Sequence, residues 1–232
     1  MDLTQSAILN YQGHRQRLKG KYARSASGTL QDYEILELLL SYALPRKDTK
    51  PIAKSLLSRF KTLKGVMDAP EEELVGVPGI GFHAAILIRL VREMGTLYLK
   101  ERVRSTVQIS CTAELIDFCK SAMGGLKDER FCVIYLNAQN QMIDMETIVE
   151  GIVNQAVVYP RKVLENTLKR KASAIILVHN HPSGNVRPSD ADIRLTQIIR
   201  ETAKTLDILV HDHLIIGENR VFSFREEGMI GS

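Results

Sequence analysis

The sequence predicts two domains, an all-helical N-terminal domain over residues 1–104 and an α/β C-terminal domain over residues 105–232. Charge is the first observation behind this division. Residues 1–104 carry 17 Lys and Arg against 11 Asp and Glu, and residues 105–232 carry 14 against 16. Such an asymmetry suggests two units with different partners. The second observation is a change of pattern after Arg104, where short apolar runs typical of buried strands begin.

Composition limits the class of protein and its location. Of the 232 residues, 44% are apolar and 25% are charged, which is ordinary for a globular protein. No segment approaches the roughly 18 apolar residues of a membrane span, so we expect a cytoplasmic protein without a membrane partner. Cys111, Cys119 and Cys132 lack metal-type spacing, which suggests reduced and mostly buried thiols.

Four helices are predicted in the N-terminal domain after a polar, partly helical lead-in over residues 1–28. They cover approximately residues 31–42, 49–60, 70–76 and 82–99. Asp32 is the candidate cap of the first of these helices. Pro51 falls in the first turn of the second, where proline is well placed.

The C-terminal domain mixes predicted strands and helices. Strands are predicted over residues 131–136, 142–149, 153–158, 174–178, 208–216 and 221–224. Helices are predicted over residues 112–123, 161–171 and 190–206. This order of elements predicts an α/β or α+β domain of common size.

The stretch from residue 174 to residue 192, AIILVHNHPSGNVRPSDAD, contains a candidate metal site. Side chains two residues apart on a strand share a face, so His179 and His181 project together from the end of a buried strand. Asp192 can reach the same point from the first turn of the next helix. Two imidazoles and one carboxylate, with a fourth position open to water, form a catalytic zinc set. The sequence therefore predicts one zinc ion bound by these three residues.

A structural interpretation of the same stretch stays open. Ser189 lies where an N-cap belongs, and Asp192 follows three residues later, as in a capping box with Asp in place of Glu. The histidine pair alone would also suit a simple turn. A second His-x-His, His211 to His213, has no carboxylate at useful spacing, so we predict a structural or supporting role for Asp212 and His213.

The candidate metal residues resemble a known motif. The pattern His179-x-His181-Pro-x-Gly184-x-x-x-Pro188-Ser189-x-x-Asp192 looks like the JAMM motif of the MPN/JAB metallohydrolases. Over nearly the whole chain the sequence is most similar to the bacterial RadC-like (UPF0758) family. The further segments that carry this resemblance are Arg130–Asn137, Tyr159–Arg161, Asp212-His213 and Ser223–Arg225. The resemblance implies a cytidine-deaminase-like sheet with flanking helices, one zinc ion, and cleavage of amide bonds in an unidentified protein or peptide.

The resemblance also implies two catalytic residues. A glutamate just before the first strand of such domains serves as proton acceptor, and Glu129 matches that position. An exposed charged turn at Glu129 is the competing interpretation, and Glu146 and Glu150 are the competing glutamates. Ser189 would donate a hydrogen bond to the developing oxyanion, in competition with its capping role.

Residues 73–88, ELVGVPGIGFHAAILI, resemble a helix-hairpin-helix motif. Gly79 and Gly81 would let the main chain approach a DNA phosphate, and Arg89 is the first nearby cation. Phe82 and His83 stand where many such hairpins carry Lys or Arg, so a purely structural hairpin stays open. Three functions therefore follow from the sequence: a zinc hydrolase, a DNA-associated repair or recombination protein, and a scaffold with a structural metal.

Overall fold

The computed structural model of the chain describes residues 3–24, 29–105, 113–151, 158–218 and 220–230. The chain divides into two compact units, Met1–Met94 and Gly95–Ser232. This division lies inside the helix Phe82–Ser105. It is therefore N-terminal to the boundary after Arg104 that the charge distribution suggested. Among the described residues, none of the helices combines the length and the apolarity that crossing a membrane requires.

The N-terminal unit is helical, as predicted. Its helices are α1 (Leu3–Arg24), α2 (Asp32–Ala43), α3 (Lys50–Phe60), α4 (Leu63–Asp68), α5 (Glu71–Val75) and the start of α6 (Phe82–Ser105). The lead-in, expected to be loose or partly helical, is mostly helical, because α1 covers residues 3–24 of it. Helix α4 was not predicted; Thr62 caps it by accepting a hydrogen bond from the Gly65 N–H.

The cap of α2 differs from the prediction. Asp32 is the first helical residue, and Gln31 is the N-cap, whose N–H donates to the Glu34 carboxylate. Aliphatic side chains from the successive helices form the core of this unit. Leu36 of α2, Leu56 of α3 and Ile88 of α6 are fully buried in it, and burying each such side chain stabilises the fold by about 1.5–3 kcal/mol.

The C-terminal unit is α/β, as predicted. Its helices are α7 (Ala113–Met123), α8 (Pro160–Lys169) and α9 (Asp190–Lys204). Its strands are β1 (Arg130–Leu136), β2 (Met142–Glu150), β3 (Ala174–Asn180), β4 (Leu209–Ile216) and β5 (Val221–Ser223). Apart from Val158, the strand predicted over residues 153–158 lies outside the described residues, as does Cys111.

The strands form one mixed sheet in the order β2-β1-β3-β4-β5. Strands β3 and β4 are parallel, and the other neighbouring pairs are antiparallel. Strand β3 lies at the centre and is buried along its whole length. Strands covered on both faces read as continuous apolar runs, which explains the sequence AIILV at the start of β3.

The two faces of the sheet are covered by different helices. Ile175 and Leu177 of β3 pack in a cluster with residues of α8 and α9. Ile176 and Val178 point the other way and pack in a cluster with residues of α7. His179 continues the odd-numbered series, so its side chain points toward the face covered by α8 and α9.

A β-bulge interrupts strand β4. Ile175 pairs with Val210, whereas Ile176 pairs with Asp212, so the register passes over His211. An extra residue in a strand moves every following side chain to the opposite face. Because of the bulge, His213 pairs with Leu177 and shares the face of His179. His211, Asp212 and His213 all lie within β4, which corresponds to the strand predicted over residues 208–216.

The two described cysteines, Cys119 and Cys132, are buried. Burial also raises the pKa of the Cys132 thiol. Their burial agrees with the mostly buried thiols that the sequence suggested.

Candidate metal centre

Two histidine side chains converge at the end of strand β3. The Nε2 atoms of His179 and His181 lie 2.9 Å apart. His179 is only 2% exposed, and the main-chain N–H of His181 donates to the carbonyl of Ile216. The end of the strand therefore holds the pair together, as its alternation predicted.

Asp192 reaches the same point from helix α9. Its Oδ1 lies 3.4 Å from His179 Nε2 and its Oδ2 lies 3.8 Å from His181 Nε2. Its Oδ2 also accepts hydrogen bonds from the N–H and the hydroxyl of Ser189, each at 2.7 Å, while the Asp192 N–H donates to Ser189 Oγ. The capping box and the approach to the histidines therefore coexist.

Glu129 lies beside the histidine pair, immediately before strand β1. Its Oε1 is 4.0 Å from His181 Nε2. Ligand atoms of Glu129, His179 and His181 all lie within 4.8 Å of one another, so these three residues could hold a metal ion. Burial raises the pKa of the Glu129 carboxyl; His181 opposes this shift and the Asp192 carboxylate adds to it.

The other two candidate glutamates serve elsewhere. Glu146 accepts hydrogen bonds from the Tyr135 hydroxyl and the Asn166 amide. Glu150 pairs with Arg130 on the exposed edge of the sheet. Neither is in the group of potential ligands that includes Glu129.

Asn180, between the two histidines, fixes the main chain around Glu129. Its side-chain oxygen accepts from the Arg130 N–H at 2.8 Å, and its NH2 group donates to the Asp128 carbonyl at 3.1 Å. Asn180 is 1% exposed, so water does not compete strongly for these bonds. The sequence analysis assigned no role to Asn180.

His213 packs behind His179. Its Nε2 lies 2.8 Å from His179 Nδ1, and its Nδ1 lies 2.5 Å from the hydroxyl of Thr196. Burial lowers the pKa of His179 to about 4, with Asp192 opposing and His181 reinforcing the shift. Burial, reinforced by His179 and His181, lowers the pKa of His213 well below its ordinary value. Both imidazoles are therefore neutral near pH 7.

The rest of the second His-x-His points elsewhere. The Asp212 carboxylate accepts hydrogen bonds from the N–H groups of His213 and Arg225 and from the Ser223 hydroxyl. His211 Nε2 donates to the Asn140 side-chain oxygen at 2.7 Å. Asp212 thus ties β4 to the segment that begins with β5.

The candidate DNA-contacting residues belong to the N-terminal unit. Gly79 has a φ of +94° between α5 and α6, a conformation that suits glycine. Gly81 is exposed just before α6. Arg89 Nη1 pairs with Glu71 Oε2 at 2.6 Å, so this cation already has an acidic neighbour.

The donor atoms fit a zinc ion. The Nδ1 of His181 lies 2.6 Å from the Asn185 carbonyl oxygen, which can only accept. His181 Nδ1 therefore carries a proton, and in the neutral ring Nε2 keeps a lone pair that faces His179 and Asp192. Imidazole nitrogens and a carboxylate oxygen are usual zinc ligands. Lone pairs this close repel one another, and a shared cation removes that repulsion.

A mixed sheet with two histidines at the end of its central strand and an aspartate from the next helix defines a JAB-type domain. Residues 109–229 match the family described as RadC-like JAB domain. The chain is also 38% identical over 226 residues to a UPF0758 protein of Fusobacterium nucleatum subsp. nucleatum, a match that covers 94% of this chain and 97% of that protein. The chain therefore belongs to the RadC-like (UPF0758) family.

Proposed function

We propose that this protein is a zinc-dependent hydrolase that cleaves an amide bond in a peptide or protein. The proposal depends mainly on one observation: His181 Nε2 lies 2.9 Å and Asp192 Oδ1 lies 3.4 Å from His179 Nε2. Three protein ligands leave a zinc position open, which is typical of catalytic rather than structural sites. The match to a JAB domain supports the same class of function.

Each residue has a role that its position supports. His179 Nε2, His181 Nε2 and Asp192 Oδ1 would hold the zinc ion. Bound zinc supplies a Lewis acid that polarises a carbonyl and activates water. The Glu129 carboxylate accepts the proton of the attacking water and then donates it to the leaving amine. A raised pKa makes Glu129 a stronger base than an exposed glutamate.

Ser189 has a second role in this proposal. Its hydroxyl would stabilise the oxyanion that forms on the substrate carbonyl. In the structure this hydroxyl donates to Asp192 Oδ2, so the oxyanion role requires the proton to turn from Asp192 toward the substrate. The capping bond from the Asp192 N–H to Ser189 Oγ is compatible with that rotation.

Metal analysis of the purified full-length protein tests the proposal. We expect one zinc per chain in the wild type and loss of zinc in His179→Ala and Asp192→Ala. His211→Ala is a matched control, since that histidine lies on the neighbouring strand and contacts Asn140 instead. A wild-type protein that binds no zinc, even after zinc is added and excess is removed, would contradict the proposal.

DNA binding through the N-terminal hairpin is a second proposal. The positive φ of Gly79 supports this proposal, because a residue in that conformation forms the tight turn between α5 and α6 that such hairpins need. The Arg89–Glu71 pair weakens the electrostatic case. Binding of the full-length chain to duplex DNA at several salt concentrations tests it: affinity should fall steeply with salt, and Arg89→Ala should weaken it. No binding at low salt would exclude this function.

A further inference from the structure

A buried chain of hydrogen bonds leads from His179 to the main chain of helix α9. His179 Nδ1 contacts His213 Nε2 at 2.8 Å, and His213 Nδ1 contacts Thr196 Oγ1 at 2.5 Å. Thr196 Oγ1 in turn lies 2.6 Å from the carbonyl oxygen of Asp192. The side chains of His179, His213 and Thr196 belong to residues that are 3% exposed or less, so water does not supply alternative partners.

The last link fixes the direction of every proton in this chain. A carbonyl oxygen has no proton, so the bond to Asp192 O exists only if the Thr196 hydroxyl donates. A hydroxyl has a single proton, and Thr196 Oγ1 must therefore accept from His213 Nδ1–H. The neutral His213 ring then has only a lone pair at Nε2, and His179 Nδ1–H must donate to it.

The reverse order of donors fails at the same carbonyl. If Thr196 donated to His213 Nδ1, two oxygens would face each other at 2.6 Å with no proton between them. His213 Nε2–H would then donate to His179 Nδ1, and the His179 proton would move to Nε2. That proton would point at His181 Nε2 and would block the binding of a metal ion.

We propose that Thr196 and His213 are positioning residues that hold His179 in the Nδ1–H tautomer, with the Nε2 lone pair directed at the metal position. The inference rests on the proposed metal centre. Groups that hydrogen-bond the other ring nitrogen of a metal-binding histidine commonly select its tautomer in this way. His181 reaches the same tautomer through a single bond to the Asn185 carbonyl, whereas His179 needs the two intermediate residues.

Asp192 has a part at both ends of this arrangement. Its carboxylate faces His179 Nε2 at 3.4 Å, and its carbonyl is the acceptor that directs the proton on the opposite side of the same ring. Asp192 therefore contributes a candidate ligand and also determines which nitrogen of the His179 ring carries the proton.

Isotope-edited NMR of the metal-free full-length protein tests the inference directly. Long-range proton–nitrogen spectra of histidine-labelled protein assign each tautomer. We expect the Nδ1–H form for His179, His181 and His213 in the wild type. An Nε2–H tautomer at His179 or His213 would overturn the proposal, and this result does not depend on zinc binding or hydrolysis.

Variants of Thr196 supply the second measurement. Thr196→Val keeps the shape and removes the hydroxyl, and Thr196→Ser keeps the hydroxyl. Thr202→Val is the matched control, because Thr202 also lies on α9 and donates to the carbonyl four residues earlier, but on the exposed side. We expect Thr196→Val to lose the single tautomer at His179 and to bind zinc about 10–100-fold more weakly, and we expect Thr196→Ser and Thr202→Val to behave as wild type.

The outcomes separate this inference from the proposed function. If Thr196→Val keeps both the wild-type tautomers and the wild-type zinc affinity, the positioning role is wrong even though the protein binds zinc. If the tautomers follow the expectation but neither the wild type nor any variant hydrolyses a peptide, the hydrolase proposal fails and the positioning role stands. Circular dichroism checks that each variant is folded.

Discussion

At the scale of the residue, Asp192 divides its two carboxylate oxygens between two tasks. Oδ2 accepts both hydrogen bonds from Ser189, and Oδ1 lies nearest to His179 Nε2. The two interpretations of the sequence, helix cap and metal ligand, are therefore complementary. The cap restricts the rotation of the carboxylate and so reduces the entropy that metal binding would cost.

Replacing Glu129 distinguishes a base from a ligand. We expect Glu129→Gln to keep the zinc content of the wild type and to reduce peptide cleavage by about 10²–10⁴-fold, the usual contribution of acid–base catalysis. A peptide library analysed by mass spectrometry measures cleavage, and metal analysis measures zinc.

The control for this change is Glu150→Gln, which alters a glutamate on the exposed edge of the same sheet and should leave both measurements unchanged. Loss of zinc in Glu129→Gln would indicate that Glu129 is a ligand. Unchanged cleavage would show that Glu129 is not the base, and a wild-type protein that binds zinc but cleaves nothing would support the scaffold with a structural metal.

Burial of His211 predicts a pH dependence of stability. Desolvation, reinforced by Arg225 and opposed by Asp212, lowers its pKa below the ordinary value of 6.5. The unfolded chain therefore takes up the proton first, so the stability contributed by neutral His211 is present above pH 6.5 and is lost as pH falls.

Urea unfolding at a series of pH values measures this effect. We expect the free energy of unfolding to decrease as pH falls below 6.5, and we expect His211→Gln to reduce that decrease, because Gln can keep a donor toward Asn140 without titrating. His179 and His213 contribute to the same trend and stay in the variant. Equal slopes for both proteins would contradict the prediction.

At the scale of the element, the sequence predicted local features better than distant ones. The alternation of β3 placed His179 and His181 on one side, and the capping signal placed Asp192 at the start of α9. Each of these two patterns spans only a few consecutive residues. The contacts of Asn180 join residues about fifty positions apart, and neither periodicity nor spacing contains that information.

Short or irregular elements were harder to predict. Helix α4 has only six residues, too few for an apolar period to show. The apolar pattern of β4 is clear both before and after His211. The bulge changes which face of the sheet each half of the strand covers. The role of His213 toward His179 was predicted only in general terms for this reason.

The turn before α6 depends on Gly79. A Cβ atom at this position would lie 2.8 Å from Ile52 Cδ1, and the φ of +94° is unfavourable for any residue with a side chain. We expect Gly79→Ala to lower the free energy of unfolding by about 1–3 kcal/mol. Denaturant unfolding followed by circular dichroism measures this change.

Gly81→Ala is the matched control for that turn. A Cβ atom at Gly81 has no atom within 4 Å, so the free energy of unfolding should change by no more than about 0.5 kcal/mol. If the two variants are equally stable, the strain at Gly79 is not significant. The same two variants also test DNA binding. Of the two, only Gly81→Ala is expected to add a methyl group near a bound phosphate and leave the fold undisturbed.

At the scale of the whole molecule, metal binding should stabilise the folded protein. A ligand present at 100 times its dissociation constant adds about 2.7 kcal/mol to the free energy of unfolding when it binds only the native state. We expect zinc to produce a shift of this size in chemical unfolding of the metal-free protein, and we expect a chelator to reverse it.

Asp192→Ala should abolish the zinc-dependent shift, because it removes the carboxylate near both histidines. Magnesium is a useful second control, since it prefers oxygen ligands and several waters over imidazole. A shift of the same size in the Asp192→Ala protein would indicate that zinc binds elsewhere.

The bridge from Asn180 to the main chain on both sides of Glu129 has a consequence for the geometry of the site. His179 and Asn180 end β3 and His181 follows directly, so these three consecutive residues supply two candidate ligands and hold the segment of the candidate base. Asp192 is attached to α9 instead, beyond the loop that follows His181. The sheet therefore sets the distances among the histidines and Glu129, whereas the distance from Asp192 to the histidines also depends on α9 and this loop.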